Sequence, residues 1–218
     1  FFLPLQINFL FMKTESQVIF DRNVIEFVTV AAEFCGFLER AEGMKRDKFV
    51  DTSLKILPLL YLKASLLPEC EMMSDEYPEN YVTEETYEIL RMNIASVLTE
   101  KDDYLEVFLP DMAYSDTPIK KCISEDLADI YQDIKDFIFI FQLGLNETMN
   151  DSLVICKENF GNIWGQKLVN TLRALHDVKY NTSPFEDEEE SEDDDDHEHC
   201  HCDDPDCDCG HEHHHHDH

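Results

Sequence analysis

Before position 197 the chain holds one histidine, His176, and from Glu186 to its last residue it holds no lysine or arginine. The first absence removes the paired histidines of a helical di-iron centre, or of a metal-dependent phosphohydrolase, from the body of the chain. The second leaves a tail whose formal charges are all negative. Glycine and proline are scarce, with 6 and 8 in 218 residues, so little of the chain is set aside for tight turns. There is no Gly-rich phosphate loop, no G-x-S-x-G elbow and no H-E-x-x-H pair. Without those signatures, no catalytic chemistry can be read from motifs.

What the sequence does have is charge of one sign. The formal net charge is -31, of which the residues from Glu186 onward contribute 17 negative charges; residues 1 to 185 set 31 acids against 17 bases. Phosphate backbones and anionic headgroups repel such a chain, so neither nucleic acid nor a membrane surface is an expected partner. Metal ions and basic or metal-receiving proteins are. An acidic run can also imitate nucleic acid toward a basic protein, although most such runs are simply solvated tails.

Cys35, Cys70, Cys122 and Cys156 lie far apart, mostly in apolar runs such as FVTVAAEFCGFLE and SLVIC, as packed thiols do. With no recognisable export signal, a reducing cytoplasm is the expected compartment, and it keeps the tail thiols free. The opening FFLPLQINFLF carries eight apolar side chains in eleven residues. It is too short to cross a bilayer, and it lacks a basic n-region and a cleavage site. Met12-Lys13 is a more natural start, so residues 1 to 11 read as an upstream start assignment, with an apolar anchor or staple as the alternative. Residues 1 to 17 are treated as a leader, 18 to 181 as the folded domain and 182 to 218 as the tail.

Apolar residues recur at helical spacing in one segment after another, which predicts an all-α, bundle-like domain of about six helices. The first should start at Asn23, with Glu26 completing a capping box, and end at Gly43. Val24, Val28, Ala31, Cys35 and Leu38 form its inward stripe, widened by Ile25, Phe27 and Phe34. The second runs from Asp47 through Phe49, Val50, Leu54, Leu57, Tyr61 and Ala64, and Pro58 should kink or divide it. A loop follows from Pro68 to Tyr81. Thr83 caps a third helix with Tyr87, Leu90, Ile94 and Val97 inward.

Tyr104 to Pro110 reads as a short helix or an irregular turn. Ser124 opens the most regular helix, with Leu127, Ile130, Ile134, Phe137 and Phe141 apolar until Gly144. Asn146 caps the next, which Gly161 interrupts before Trp164, Leu168, Leu172 and Leu175. Past Asn181 the periodicity ends, and SPFEDEEESEDDDD has too little apolar area to offset chain entropy, which predicts a disordered acidic tail.

The last 22 residues carry nine of the ten histidines and four of the eight cysteines. The candidate metal ligands are His197, His199, Cys200, His201, Cys202, Cys207, Cys209, His211, His213, His214, His215, His216 and His218. Cys200-His-Cys202 and Cys207-Asp-Cys209 put four soft donors within ten residues around the turn-forming DDPD, so closing a tetrahedral zinc site costs little loop entropy. The double C-x-C spacing is closer to the adaptable thiolates of metallothioneins than to a zinc ribbon. The histidines suit nickel, copper or zinc, and metal choice is not encoded. Two plainer readings compete: a cloning tag, against which the interspersed Cys, Asp and Glu argue, and a low-complexity extension with incidental affinity.

Other candidates lie in the helical part. Asp126, Asp129, Asp133 and Asp136, spaced three, four and three apart, form one acidic line: a docking stripe or weak cation site, or more plainly the solvated face of an amphipathic helix. His176 beside Asp177 reads as a helix-terminal histidine. Cys35 and Cys156 sit in apolar contexts that raise a thiol pKa, which suits packing rather than nucleophilic attack.

The strings ILPLLYLKASLLPE (56 to 69), EKDDYLEVFLPDMAYSDTPI (100 to 119), ISEDLADIYQDIKDF (123 to 137) and WGQKLVNTLRALHD (164 to 177) resemble an all-helical domain-of-unknown-function family of Bacteroides-like bacteria, over about residues 18 to 180. The resemblance implies domain limits, helical class and a bacterial cytoplasm, but no activity. The tail lies outside it. The leading expectation is a non-enzymatic protein whose flexible tail stores, buffers or delivers zinc or nickel. The alternative is an interaction or scaffold module using its acidic helical surface, with the tail only solubilising it. A third expectation is an enzyme site around Asp111, Tyr114 and Asp116, drawn together with Arg173 or His176.

Overall fold

The computed structural model describes residues 17–75, 77–106 and 119–181. The chain divides into two units, Phe1–Asn181 and Thr182–His218. All thirteen proposed tail ligands belong to the second unit and lie outside the described residues, as do the leader through residue 16 and the segment holding Asp111, Tyr114 and Asp116.

The described part is all-α apart from one two-stranded ribbon. A 3-10 turn, Val18–Phe20, leads into α1, Arg22–Glu39. Asp21 rather than Asn23 is the cap, its carboxylate accepting from the Asn23 N–H at 2.7 Å. Glu26 does not reach back to the cap. It accepts from Arg22 and from Lys63, both at 2.6 Å, and so ties α1 to α2. α1 also ends at Glu39, before Gly43, whose φ of +68° belongs to the turn ahead of α2. The expected stripe is buried except that Val28 is half-buried and Ile25 faces out.

α2, Arg46–Ser65, passes through Pro58 undivided. Proline removes one backbone bond, a cost of about 3 kcal/mol in a helix interior. Leu57, Leu60 and Ala64 are almost wholly buried around it, and each such leucine contributes about 1.5–3 kcal/mol, enough to hold the helix together. α3, Glu84–Leu98, starts as expected, with the Thr83 hydroxyl accepting from the Thr86 N–H.

Of the segment expected to be a short helix or turn, residues 107 to 110 lie outside the described residues, and Tyr104 to Glu106 are instead strand: β1, Asp103–Glu106, pairs antiparallel with β2, Ile119–Cys122, in the register Asp103↔Cys122 to Glu106↔Ile119. β2 leads directly into α4, Ile123–Gln142. Asp102, just before β1, accepts from the Ser124 N–H at 2.7 Å and from its hydroxyl at 2.6 Å. The start of α4 is therefore satisfied from across the ribbon and not by Ser124. Gly144, at φ +74°, turns the chain after α4.

α5, Asn146–Asn159, starts without a side-chain cap from Leu145, so Asn146 is its first residue and not its cap. α5 runs through a π-helical turn, Phe160–Trp164, into α6, Gly165–Tyr180. The interruption expected at Gly161 is thus a change of pitch, and the six α-helices make five rods. A Cβ on Gly165 would lie 2.3 Å from the Phe160 carbonyl oxygen, so only glycine permits this close approach. The fully buried Trp164 indole, at the end of that turn, donates back to the Cys156 carbonyl of α5 at 3.2 Å.

α4 is the central rod and packs against α1, α3, α5 and α6, while α2 lies between α1 and α6. Phe137 on α4 meets Phe27 of α1 at 5.5 Å between ring centroids and Phe141 one turn on at 5.4 Å. No described helix is long and apolar enough to cross a membrane.

A polar cleft along helix α4

The row Asp126, Asp129, Asp133 and Asp136 occupies one face of α4, as its spacing requires. The row is not the solvated face expected from the sequence. Because α4 is surrounded, each aspartate meets a group from another element. Asp126 is only 4% exposed and accepts from the Tyr104 hydroxyl of β1. Asp129 accepts from the Tyr87 hydroxyl of α3 at 2.7 Å and pairs with Lys167 of α6. Asp133 accepts from the Asn159 amide at the end of α5 at 2.7 Å. One oxygen of Asp136 takes the N–H groups of both Tyr81 and Val82 at 2.8 Å, holding the chain just ahead of α3.

Burial pushes the Asp126, Asp133 and Asp136 carboxyls above the usual range, because desolvation disfavours their charged forms. The Tyr104 hydroxyl and Lys167 oppose this at Asp126, the Asn159 amide at Asp133, and the two backbone N–H groups at Asp136. Tyr87 and Tyr104 are pushed up in turn, first by burial and then by the carboxylates to which they donate.

Three aspartates of this row, Asp129, Asp133 and Asp136, share with Gln132 the wall of a cleft of about 350 Å³. The loop before α3 adds Asn80, Asn159 closes one end, and Ile163 of the π-turn and Lys167 of α6 complete it. Apart from Ile163 the lining is polar or charged. Its lysine is paired with Asp129. Among the described residues no group of three or more His, Cys, Asp or Glu side chains is arranged to hold a metal ion.

The other candidates do not converge here. Arg173 and His176 are exposed on α6, where the His176 ring rests 4.6 Å from that of Tyr180. Cys35 is buried with its thiol pushed up to about 12, and the buried Cys156 thiol is raised well above its ordinary value, both chiefly by burial, as inert core thiols should be. Gln132, three residues after Asp129 and four before Asp136, could have been found from helical spacing. Asn80, Asn159 and Lys167 carried no signal, because only the packing of α4 against its neighbours brings them together.

A family model described as Domain of unknown function (DUF5063) matches residues 18–181. The four strings that carried the resemblance all lie inside that span. The crystal structure of protein BF1032 from Bacteroides fragilis is 76% identical and superposes with a TM-score of 0.70, covering 77% of this chain and 99% of that one. No curated protein matches the chain significantly.

Proposed function

This chain belongs to the DUF5063 family, and on that premise we propose that its distinctive chemistry sits in the tail beyond the family span, as a carrier of divalent metal, zinc or nickel, in a reducing bacterial cytoplasm. One observation carries the reading: nine histidines and four cysteines fall within the last 22 residues, among carboxylates and with no competing lysine or arginine. Soft thiolates and imidazoles at this density satisfy the ligand preferences of zinc and nickel. The role is storage, buffering or delivery, and it requires no catalysis by the helical domain.

The alternative, a scaffold that docks basic proteins through Asp126, Asp129 and Asp133, draws less support. Those carboxylates are half-buried or buried and already engaged by Tyr104, Tyr87, Lys167 and Asn159. The test is calorimetric titration of the reduced protein with zinc and with nickel, with and without residues 186 to 218. The proposal predicts that uptake disappears with the tail; unchanged stoichiometry in the shortened chain would remove the tail from the account.

A further inference from the structure

We infer that the outward face shared by α2 and α6 is a docking surface for an acidic, amphipathic helix of a partner protein. Its apolar anchors would seat on Leu59, Leu62 and Leu66, and its carboxylates would face the cations beside them. This is independent of the metal-binding tail.

Charge singles the face out. In a chain of net charge -31, α2 carries four Lys or Arg against two Asp, and α6 three against one. In each of the other four α-helices acids outnumber bases. The two basic helices lie side by side. Some of their bases serve the fold: Lys63 is tied to Glu26 of α1, Lys167 to Asp129 of α4, and Arg46 to Glu100. The outward ones are under-compensated. Lys55 of α2 and Lys179 of α6 share the single carboxylate of Asp51, and Lys48 and Arg173 are exposed and pair with no acid among the described residues.

Past Lys55 the same face of α2 turns apolar. Leu59, Leu62 and, at the C-cap, Leu66 are 42–51% exposed. Spaced three and four apart, they point away from the buried Leu57, Leu60 and Ala64. The Asp51–Lys179 pair and the Tyr61–Phe160 ring contact, 5.1 Å between centroids, show that α2 and α6 run antiparallel. The exposed Val169 of α6 lies between those two cross-links and extends the apolar area.

The arrangement specifies the occupant. A helix presents apolar anchors at the same spacing of three and four, and one of about 18 residues spans about 27 Å, close to the about 30 Å of α2. Cations around the leucines call for acids around the anchors. A membrane or a nucleic acid is also anionic, but such an extended surface meets the whole acidic chain and is repelled by it. A single helix meets this face alone, and charges further away than a Debye length of about 8 Å are largely screened from it.

The probe is a synthetic helical peptide of about 18 residues, with leucines at spacings of three and four and glutamates on its other face. It is titrated into the full chain at physiological salt while the amide NMR signals are followed residue by residue. A control peptide has serine at the leucine positions, and phosphatidylglycerol vesicles form a third series. The expected result is saturable movement of the Leu62, Leu66 and Val169 amides with the leucine peptide and none with the serine control.

Leu62→Asp, at a half-exposed position outside the core, should weaken binding at least about tenfold. Lys48→Glu combined with Arg173→Glu should weaken it about fivefold or more, whereas Lys48→Arg with Arg173→Lys, which keeps both charges, should leave it within about twofold. Should Leu62→Asp lose its dispersed spectrum, the two exposed charge pairs decide alone. No movement of the three amides, equal movement with the serine control, or binding unaffected by charge reversal would overturn the inference. So would signals lost to vesicles but unmoved by peptide, or movement on concentrating the chain without peptide, which would assign the face to a second copy.

Discussion

Replacing Tyr104 by Phe removes one oxygen atom, and its effect should depend on pH. Asp126 is 4% exposed on α4, and the Tyr104 hydroxyl is its hydrogen-bond donor among the described residues. A hydrogen bond to a charged group contributes roughly 1.5–3 kcal/mol, and leaving the acceptor buried without a donor adds part of its desolvation cost. A loss of about 2 kcal/mol is therefore expected near pH 7.5, which for a domain of marginal stability is a large change. The Asp126 carboxyl is raised in the folded state, chiefly by burial, and the Tyr104 hydroxyl opposes that rise. Without the hydroxyl the folded carboxyl rises further.

A carboxyl that is raised on folding binds its proton more tightly when folded than when unfolded. Its unfavourable contribution is therefore present at high pH and is relieved as pH falls through the folded value toward the unfolded value of about 3.9. The difference between Tyr104→Phe and the parent should accordingly shrink between pH 7.5 and about pH 4.5, toward the roughly 1 kcal/mol of a neutral hydrogen bond. Asp126→Asn, which keeps the shape and an acceptor without the charge, should cost less than Tyr104→Phe at pH 7.5. Urea unfolding of the three proteins at both pH values measures this. An equal cost at both pH values, or an Asn variant less stable than the Phe variant at pH 7.5, would refute the claim that Asp126 is an under-compensated buried charge.

Gly165→Ala forces a Cβ against the Phe160 carbonyl oxygen at 2.3 Å; the strain should cost about 1–3 kcal/mol or straighten the π-turn, read from the melting temperature and from loss of the buried Trp164 environment in near-ultraviolet circular dichroism. Asp136→Ala removes the acceptor shared by Tyr81 and Val82, so those two amides should lose hydrogen-exchange protection while α4 keeps its own. Zinc affinity of the full chain should fall on acidification, beginning as the tail histidines take up protons around pH 6.5, with the surrounding carboxylates moving the onset upward; competition against a chelator at several pH values follows it.

Local signals told the truth where the structure is local. The Thr83 cap and the inward stripe of α4 are set by neighbours within a turn or two, and both read correctly. Asn23 was misread because Asp21, two residues earlier, offers the chain an equally good cap, and the spacing of Glu26 cannot reveal that Lys63 of α2 draws it away. The ribbon escaped because each strand has only four residues, and the partner of β1 lies beyond residues 107 to 118.

The aspartate row shows the limit most clearly. Periodicity states that four carboxylates share a face, but not that Tyr104, Tyr87, Asn159 and the Tyr81–Val82 backbone stand opposite it. A helix with a polar face reads as solvated only until the number of its neighbours is known. The same reason hid the cleft, whose Asn80, Asn159 and Lys167 come together through packing across α3, α4, α5 and α6.

Cobalt titration of the reduced full-length protein tests the central claim most directly, because thiolate-to-cobalt charge-transfer absorption reports coordination by sulfur and not mere electrostatic attraction to an acidic tail. The account predicts that this absorption appears with added cobalt, is displaced by zinc, and is absent when Cys200, Cys202, Cys207 and Cys209 are replaced by serine. Absorption that never develops in the parent chain, or that survives the four substitutions, would contradict it.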